Sequence, residues 1–342
     1  MRADFVSTSI AAAAVALAGA VVCAALLAVL LKTGWAWRLA TDVPNDRSLH
    51  VSPTPRVGGW GTVPVAVLAI VLLAPSLWLV AVAAVCLAAI SQIDDRRGLP
   101  ARVRFAAHLL AVVAIVVVYP AAVPWWALAI VAFLMLWLVN LYNFMDGADG
   151  LAGGMMLFGF GGYAFGALFA PTPSIELAWV SAAVAGAAAG FLVFNFHPAR
   201  IFLGDAGSIP AGFLAGALGY WGWRETVWPL WFPAMVFAPF IGDASVTLLR
   251  RLLRGEKFWL AHREHYYQRM VRCGFGHAGT ALIWYAVMLS GVVIALVALN
   301  CPAGVQWALV VIWMGTLLLI GTGIDVRWRR FAAGNTSWNH GG

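Results

Sequence analysis

The sequence has very few charged residues for its length. Of its 342 residues only 10% are Asp, Glu, Lys or Arg, whereas 63% are hydrophobic and the mean hydropathy is +0.88. A soluble domain of this size surrounds its core with a polar exterior, so the composition excludes one. Apolar runs of 17 to 25 residues recur along the chain, and about 20 such residues form a helix that crosses a bilayer. The sequence therefore predicts an all-α, polytopic membrane protein.

Cysteine is also scarce, since the chain has only Cys23, Cys86, Cys273 and Cys301. These residues show no metal-binding spacing, and at least two lie within apolar runs, where a thiol acts as a small apolar side chain. We expect no disulfide, metal centre or catalytic thiol from them. We expect no cleaved signal peptide either, because the first apolar run, residues 7–31, is too long and no small-residue cleavage site follows it.

Hydropathy, broken at charged, proline and glycine clusters, predicts eleven transmembrane helices. Their approximate ranges are 7–31, 59–74, 76–92, 104–119, 123–140, 151–170, 175–195, 208–222, 228–249, 278–299 and 304–324. Alternating spans of this number place 19 of the 21 Lys and Arg residues on one side of the membrane. Basic residues are retained in the cytoplasm, so we expect a periplasmic N-terminus and a short cytoplasmic tail, residues 325–342.

The net charge of +7 follows from the same asymmetry. Basic residues on the cytoplasmic side could also attract anionic lipid headgroups or phosphorylated substrates, and the charge count does not separate these readings. We expect membrane lipids as partners and no nucleic acid.

Eleven of the 14 acidic residues are on or near the predicted cytoplasmic side, and some form four groups. The groups are Asp94 with Asp95, Asp146 with Asp149, Asp205, and Asp243. Asp243 lies inside the ninth predicted span, where an ionisable residue costs free energy unless it is paired. Asp94 and Asp95 could instead be a helix end that pairs locally with Arg96 and Arg97, and we weigh both readings equally.

The acidic groups have the character of a magnesium site. Three of them are flanked by glycine, which lets the backbone approach a ligand closely. A few hard oxygen ligands, without clustered cysteine or histidine, suit Mg²⁺, an ion that shares its coordination shell with substrate phosphates. We therefore expect phosphate chemistry at the cytoplasmic face of the membrane.

Two long polar loops accompany these groups. DVPNDRSLHVSPTPRVGG, residues 42–59, contains His50 and Arg56 and could be either a connector or a substrate-binding loop. RRLLRGEKFWLAHREHYYQRM, residues 250–270, contains Arg263, His265 and Arg269. This loop could be an amphipathic segment on the membrane surface or a clamp for a phosphorylated ligand.

Five stretches together resemble the polyprenyl-phosphate N-acetylhexosamine-1-phosphate transferases of glycosyl transferase family 4. Within residues 42–272 and in family order they are DVPNDRSLHVSPTPRVGG, QIDDRRG, NLYNFMDGADGLAGG, FNFHPARIFLGDAGSIPAG and FIGDASVTLLRRLLRG. The resemblance implies one integral membrane transferase domain, residues 1–342, with its active site at the cytoplasmic face of the bacterial inner membrane. The implied reaction transfers a sugar 1-phosphate from a UDP-N-acetyl sugar to undecaprenyl phosphate and releases UMP. Mg²⁺ or Mn²⁺ is the implied cofactor, and a homodimer stays open.

The resemblance also assigns roles to residues. Asp205 matches the principal metal ligand, Asp95 matches a second metal-site residue, and Asp94 is expected near the attacking lipid phosphate. His265 is expected to hold charge during catalysis, which makes it the fourth catalytic residue. The residues expected to bind substrate are Asn143, Asp146, Gly147, Asp149, Phe202, Arg56, His50, Asp243, Arg263 and Arg269. Among these, Phe202 matches an aromatic residue that stacks on uracil.

The last polar loop departs from the family pattern. Many members carry a His-x-His-His group there, but this chain has Tyr267 and Gln268 where two histidines are usual. This departure argues against the peptidoglycan branch of the family. The form AHREHYYQR resembles the subgroup that initiates O-antigen, the outer polysaccharide of lipopolysaccharide.

Two other classes of protein share some of these features. A prenyltransferase also uses aspartate-rich Mg²⁺ sites, but it would need a second DxxxD-type cluster. A transporter would place ionisable residues at the bilayer midplane, whereas Asp243 lies near one edge of its span. For the transferase itself, direct in-line attack by the lipid phosphate is favoured over a covalent intermediate at Asp94.

Overall fold

The computed structural model describes residues 2–44, 52–257 and 262–338. The helices are α1 (Arg2–Lys32), α2 (Trp35–Leu39), α3 (Gly59–Leu73), α4 (Trp78–Arg97), α5 (Ala101–Val118), α6 (Trp125–Phe144), α7 (Leu151–Phe169), α8 (Ile175–Asn195), α9 (Asp205–Arg224), α10 (Trp231–Val236), α11 (Ala238–Leu253), α12 (Tyr266–Met270), α13 (Gly276–Leu299) and α14 (Ala303–Trp338). A 3₁₀ turn spans Pro75–Leu77 and a π-helical turn spans Val271–Phe275. Two short antiparallel strands, β1 (Thr41–Asp42) and β2 (Thr54–Pro55), complete the described secondary structure.

The all-α, polytopic membrane architecture is confirmed. The predicted spans coincide in order with α1, α3 to α9, the α10–α11 pair, α13 and α14. Among the described residues, eight helical segments are long and apolar enough to cross a membrane. The remaining three of the predicted spans are α3, which has only 15 residues, α9, and the divided α10–α11 pair.

The structure differs from the predicted spans at two places. The ninth span is interrupted at Phe237, between α10 and α11, because Pro239 in the first turn of α11 has no N–H for the preceding turn. The last helix does not end near residue 324, since α14 continues to Trp338. No proline follows Pro302, so nothing in the sequence of the expected tail stops the helix where the basic residues begin.

Helices α7 and α8 form the centre of the bundle, with 78% of the most apolar stretch of each buried. The first helix packs closely against α8 through small residues. A Cβ at Gly186 would lie 1.9 Å from the carbonyl oxygen of Ala16, and one at Gly190 would lie 2.3 Å from that of Ala20. Small residues allow membrane helices to approach at backbone distance, so these glycines set the separation of α1 and α8.

We expect Gly186→Ala to destabilise the protein by about 1–3 kcal/mol, because the added methyl group forces α1 away from α8. Gly161→Ala is the matched control, since nothing lies within 4 Å of the Cβ position at Gly161. Thermal unfolding of the two purified variants in the same detergent measures the difference. Equal unfolding temperatures would contradict the packing role of Gly186.

Candidate active site

A polar arm, residues 54–59 at the end of the loop that carries Arg56, lies against the start of α9. Phe202 donates its backbone N–H to the carbonyl oxygen of Pro55 at 2.8 Å, and Gly58 donates to that of Phe202 at 2.9 Å. A Cβ at Gly59 would lie 2.4 Å from the carbonyl oxygen of Ala206. Gly59, at the end of the arm, is therefore required by its close approach to α9. This contact holds Arg56 over the helix N-terminus.

Asp205 is the first residue of α9 and follows Gly204, whose φ of 71° is in the left-handed region that favours glycine. Asn143, from the end of α6, donates its side-chain amide to Asp205 Oδ1 at 2.9 Å. The same amide nitrogen donates to Ser208 Oγ at 3.0 Å. The unpaired N–H groups at the beginning of a helix favour an anion, so a phosphate group is a natural ligand here.

Two further carboxylates surround this helix start. The Asp95 side chain is only 3% exposed, lies 3.6 Å from Arg56 Nη1, and accepts a hydrogen bond from the backbone of Ala206. Arg56 is also paired with Asp42 at 2.8 Å. Removal from water, together with the nearby Asp205 and Asp95 carboxylates, raises the pKa of Asp146 well above its usual range. The site therefore brings three carboxyl groups, those of Asp95, Asp146 and Asp205, close to Arg56, where their ionised forms repel one another.

Asp149 organises the other half of the site. Its Oδ2 accepts the backbone N–H of Ala199 at 3.1 Å and lies 2.7 Å from His197 Nδ1. The backbone N–H of Asp149 donates to His277 Nδ1 at 3.1 Å, which leaves the proton of a neutral His277 on Nε2. The two imidazole rings stack with centroids 5.4 Å apart. The side-chain amide of Asn195 connects the neighbouring loops by accepting from Gly150.

These groups line one cavity of about 100 Å³. Seven of the residues predicted from the sequence line it, namely Arg56, Asn143, Asp146, Gly147, Asp149, Phe202 and Asp205. Asp95 adjoins it through Arg56. Five other lining residues were not identified from the sequence, namely Asp42, Ala148, Asn195, Gly204 and His277. Of these, Asp42 had a signal, because it opens the polar loop that carries Arg56.

Other predicted residues lie outside the cavity lining. Asp94 accepts a hydrogen bond from Arg104 Nη1 at 2.8 Å and another from the backbone of Leu99, so it connects the end of α4 to α5. This is the local pairing that the sequence left open, although with Arg104 in place of Arg96 and Arg97. His50 lies outside the described residues.

Asp243 and His265 form a buried pair instead of facing the cavity. The Asp243 side chain is fully buried and accepts the backbone N–H groups of Tyr266 and Tyr267 at 2.9 and 3.0 Å. His265 Nδ1 lies 3.1 Å from the same carboxylate. Asp243 thus caps the N-terminus of α12 from a neighbouring helix, where a negative charge is stabilised by the helix dipole. Its predicted substrate contact is replaced by a structural one.

Arg263 and Arg269 also lie away from the acidic cavity. Both line a separate, arginine-rich cavity near the end of α14. Arg269 donates to Asp325 Oδ1 at 2.8 Å, and Arg250 pairs with the same carboxylate. The reason is that α14 continues beyond its predicted end and brings Asp325 to this loop.

The short helix α12 nevertheless contacts the active site through Tyr267. The Tyr267 hydroxyl donates to the carbonyl oxygen of Phe144 at 3.2 Å. A Cβ at Gly147 would lie 2.2 Å from this hydroxyl oxygen. The cap at Asp243 therefore fixes a side chain that packs directly under the loop carrying Asp146 and Asp149.

Comparison with known proteins identifies the family. Residues 77–222 match the model of glycosyl transferase family 4. The chain is 27% identical over 308 residues to the probable undecaprenyl-phosphate N-acetylglucosaminyl 1-phosphate transferase of Bacillus subtilis (strain 168), covering 82% of this chain and 84% of the relative. It is 31% identical over 315 residues to the decaprenyl-phosphate N-acetylglucosaminephosphotransferase of Mycolicibacterium smegmatis, covering 74% of this chain and 75% of the relative.

A third relative matches over a shorter range. The phospho-N-acetylmuramoyl-pentapeptide-transferase of Chlorobium phaeobacteroides (strain BS1) is 32% identical over 162 residues, which is 42% of this chain and 44% of the relative. The prenyltransferase and transporter alternatives have no support from these similarities. Identity of 31% across about three quarters of both chains shows that the protein belongs to glycosyl transferase family 4 and is a polytopic membrane enzyme of the transferase class.

Proposed function

We propose that this enzyme transfers an N-acetylhexosamine 1-phosphate from a UDP-sugar to a polyprenyl phosphate and releases UMP. The observation that carries the proposal is the acidic cavity at the start of α9. There Asp205, Asp146 and the adjoining Asp95 surround a helix N-terminus, and Arg56 lies beside them. Helix N–H groups and Arg56 suit a diphosphate, and the carboxylates suit the cation that accompanies it.

The residues present fit Mg²⁺ or Mn²⁺. They supply hard carboxylate oxygens from Asp95, Asp146 and Asp205, with Asn143 beside them. One oxygen of Asp95 is buried without a hydrogen-bond partner among the described residues, which costs free energy unless a ligand satisfies it. Asp95 and Asp205 would hold the ion. Bound there, a divalent cation would neutralise the diphosphate and stabilise the leaving UMP.

The donor would extend from this acidic end towards Asp149. Phe202 and His277 both line this cavity, and the position of Phe202 in the lining supports its predicted stacking on uracil. Because Asp149 Oδ2 already accepts two hydrogen-bond contacts, its orientation is fixed before a ligand arrives. Gly147, between the two aspartates, packs against the Tyr267 hydroxyl, so Tyr267 supports the loop along which the nucleotide would lie.

The acceptor lipid has a separate apolar groove. A cavity of about 150 Å³ lies between α6, α9 and the α10–α11 pair, and its wall includes Leu138, Gly216 and Ile241. The helices α6 and α9 also carry Asn143 and Asp205 at their ends. An isoprenoid chain in this groove would therefore present its phosphate to the acidic cavity. We propose undecaprenyl phosphate as this acceptor.

The proposed reaction is a single in-line displacement. An oxygen of the lipid phosphate forms a bond to the β-phosphorus of the UDP-sugar, and the bond from that phosphorus to the bridging oxygen breaks, so that UMP leaves. A phosphate monoester is largely dianionic at neutral pH, so no strong general base is needed. Arg56 and the α9 N-terminus hold the phosphates in position, which supplies most of the rate enhancement. His265, buried against Asp243, would act only through α12.

The names of the relatives favour N-acetylglucosamine as the sugar, and an O-antigen product stays a prediction from the form of residues 261–269. We propose a location in the bacterial inner membrane with the acidic cavity on the cytoplasmic side. The test is purified protein in nanodiscs with undecaprenyl phosphate and Mg²⁺, supplied in turn with UDP-N-acetylglucosamine, UDP-N-acetylgalactosamine and UDP-N-acetylmuramoyl-pentapeptide. We expect UMP and a lipid-linked sugar from one of the two hexosamines. Absence of UMP from all three would contradict the proposal.

We expect Gly147→Ala to reduce kcat/KM for the donor about 10- to 100-fold, because the new methyl group meets the Tyr267 hydroxyl and displaces the loop between Asp146 and Asp149. Removing the hydroxyl should restore part of this loss, since the next atom, Tyr267 Cζ, is 3.2 Å away. The measurement is UMP release by Gly147→Ala, Tyr267→Phe and the double variant. A double variant no better than Gly147→Ala would show that the contact is not the cause.

A further inference from the structure

We propose that the cleft between α11, α13 and α14 is a binding site for an anionic glycerophospholipid, separate from the donor and acceptor sites. One part of this cleft is an apolar cavity of about 380 Å³. Its walls include Val246, Trp284, Val287, Met314 and Leu317. Only 6% of the most apolar stretch of α14 is buried, against 78% for α7 and α8. The last helix therefore lies at the edge of the bundle, and the cavity is enclosed between it, α11 and α13.

The other part of the cleft, next to Arg250, is basic. A second cavity of about 570 Å³ shares Arg250 with the apolar one. Its charged lining consists of Arg250, Arg254, Arg263, Arg269, Arg272 and Arg329, opposed by Glu264 and Asp325. The two carboxylates pair with Arg250, Arg254 and Arg269. An excess of positive charge remains.

Two arginines at this cavity are available for an anion. Arg272 and Arg329 have no carboxylate partner among the described residues, and Arg272 lies 4.7 Å from the ring of Trp328. In the apolar wall, Trp284 is 6% exposed and its indole N–H has no hydrogen-bond partner in the described structure. A basic compartment that adjoins an apolar one, with an unpaired donor in the apolar wall, matches a phosphate headgroup, acyl chains and an ester carbonyl.

The occupant is not the acceptor of the transfer reaction. Ile241 faces the groove proposed for the polyprenyl chain, whereas Gly242, Asp243 and Val246 line the cleft on the other side of α11. A lipid in the cleft is therefore separated from the acidic cavity by α11 and α12. Anionic phospholipids are abundant at the cytoplasmic surface of membranes and are attracted by clustered arginine.

The cleft connects to the active site through consecutive residues of α12. Tyr266 lines the apolar cavity, and its hydroxyl donates to Asp325 at 3.4 Å. Tyr267 packs under Gly147 of the donor cavity. A lipid that fills the cleft would hold α12 against α11 and thereby hold Tyr267 in place. This effect on turnover rests on the proposed function, whereas lipid binding itself does not.

The test is native mass spectrometry of the purified protein after equal exposure to phosphatidylglycerol and phosphatidylcholine. We expect preferential retention of phosphatidylglycerol, reduced about 10- to 30-fold in the double variant Arg272→Gln/Arg329→Gln. The matched control is Arg97→Gln/Arg102→Gln, which removes the same charge from exposed positions that line neither cavity. Leu317→Trp, which fills the apolar cavity and keeps every arginine, should also lose the lipid.

Three results would overturn the proposal. They are equal retention of the two phospholipids by the unmodified protein, equal phosphatidylglycerol retention in the two double variants, and stoichiometric displacement of phosphatidylglycerol by undecaprenyl phosphate. The last result would make the cleft an acceptor site. Thermal unfolding in phosphatidylcholine nanodiscs verifies that each variant is folded. Lipid retention is measured without turnover, so a failure of the lipid-binding proposal is distinguishable from a failure of the transferase assignment.

Discussion

Asp205→Asn is expected to lower sugar-phosphate transfer by at least about 10³-fold without unfolding the protein. The substitution keeps the size of the side chain and removes its charge at the first residue of α9, where the diphosphate and its cation are proposed to bind. Asn143 can still donate to the remaining carbonyl oxygen of the new amide, so the contact between α6 and α9 is preserved. The loss should therefore appear in activity and not in stability.

The measurement combines UMP release with Mn²⁺ binding followed by electron paramagnetic resonance. Both should fall together in Asp205→Asn. Glu176→Gln is the control, because Glu176 is an exposed carboxylate in the first turn of α8, at the opposite end of that helix from the site. Activity of Asp205→Asn within ten-fold of the unmodified enzyme would remove Asp205 from the reaction.

Asp95→Asn is expected to reduce activity about 10²- to 10³-fold and at the same time to stabilise the protein against unfolding. The Asp95 carboxylate is 3% exposed, has one oxygen without a hydrogen-bond partner in the described part of the chain, and lies near the like charge of Asp205. A neutral amide relieves both the desolvation of the charge and the repulsion. Substitution of a residue whose role is only structural would instead lower the stability of the protein and leave its activity largely unchanged.

The neighbouring residue supplies the comparison. Asp94→Asn should lower the unfolding temperature, because Asp94 pairs with Arg104 and accepts the N–H of Leu99. Thermal unfolding in the absence of divalent cations measures both variants. An Asp95→Asn variant that is less stable than the unmodified enzyme would contradict the prediction. It would show that the contacts of the Asp95 carboxylate with Arg56 and Ala206 stabilise the protein by more than its repulsion from Asp205 destabilises it.

Sequence alone predicted those parts of the site that are signalled locally. Asn143, at the end of α6, is close in sequence to Asp146 and Asp149 in the glycine-rich turn that follows, and Asp205 follows a glycine at a helix start, so spacing and residue type identified them. His277 could not be found in this way, because it contacts Asp149 across 128 residues and its neighbours in the sequence, Gly276 and Ala278, are not polar. The order and approximate positions of the spans were predictable for a similar reason, since hydropathy is a local property, but the break at Phe237 and the end of α14 were not predicted.

Asp243 shows where this reasoning stops. An ionisable residue inside a span needs a partner, and the structure supplies one, as expected. The partner is the backbone of Tyr266 and Tyr267, which any sequence would offer. Likewise, Asp325 was placed in a tail, and only the continuous α14 brings it to Arg250 and Arg269. Side-chain pairings between distant elements were the features that hydropathy and motifs did not contain.

The contact of Asp325 with α11 and α12 has a consequence for biosynthesis. The residues that line the acidic cavity are all translated by residue 277, but the carboxylate that receives Arg250 and Arg269 comes about 50 residues later. During membrane insertion the enzyme therefore has its catalytic groups before it has the restraint on α12. A chain that ends before α14 would insert with its motifs intact but would lack the contacts of Asp325 that restrain α12.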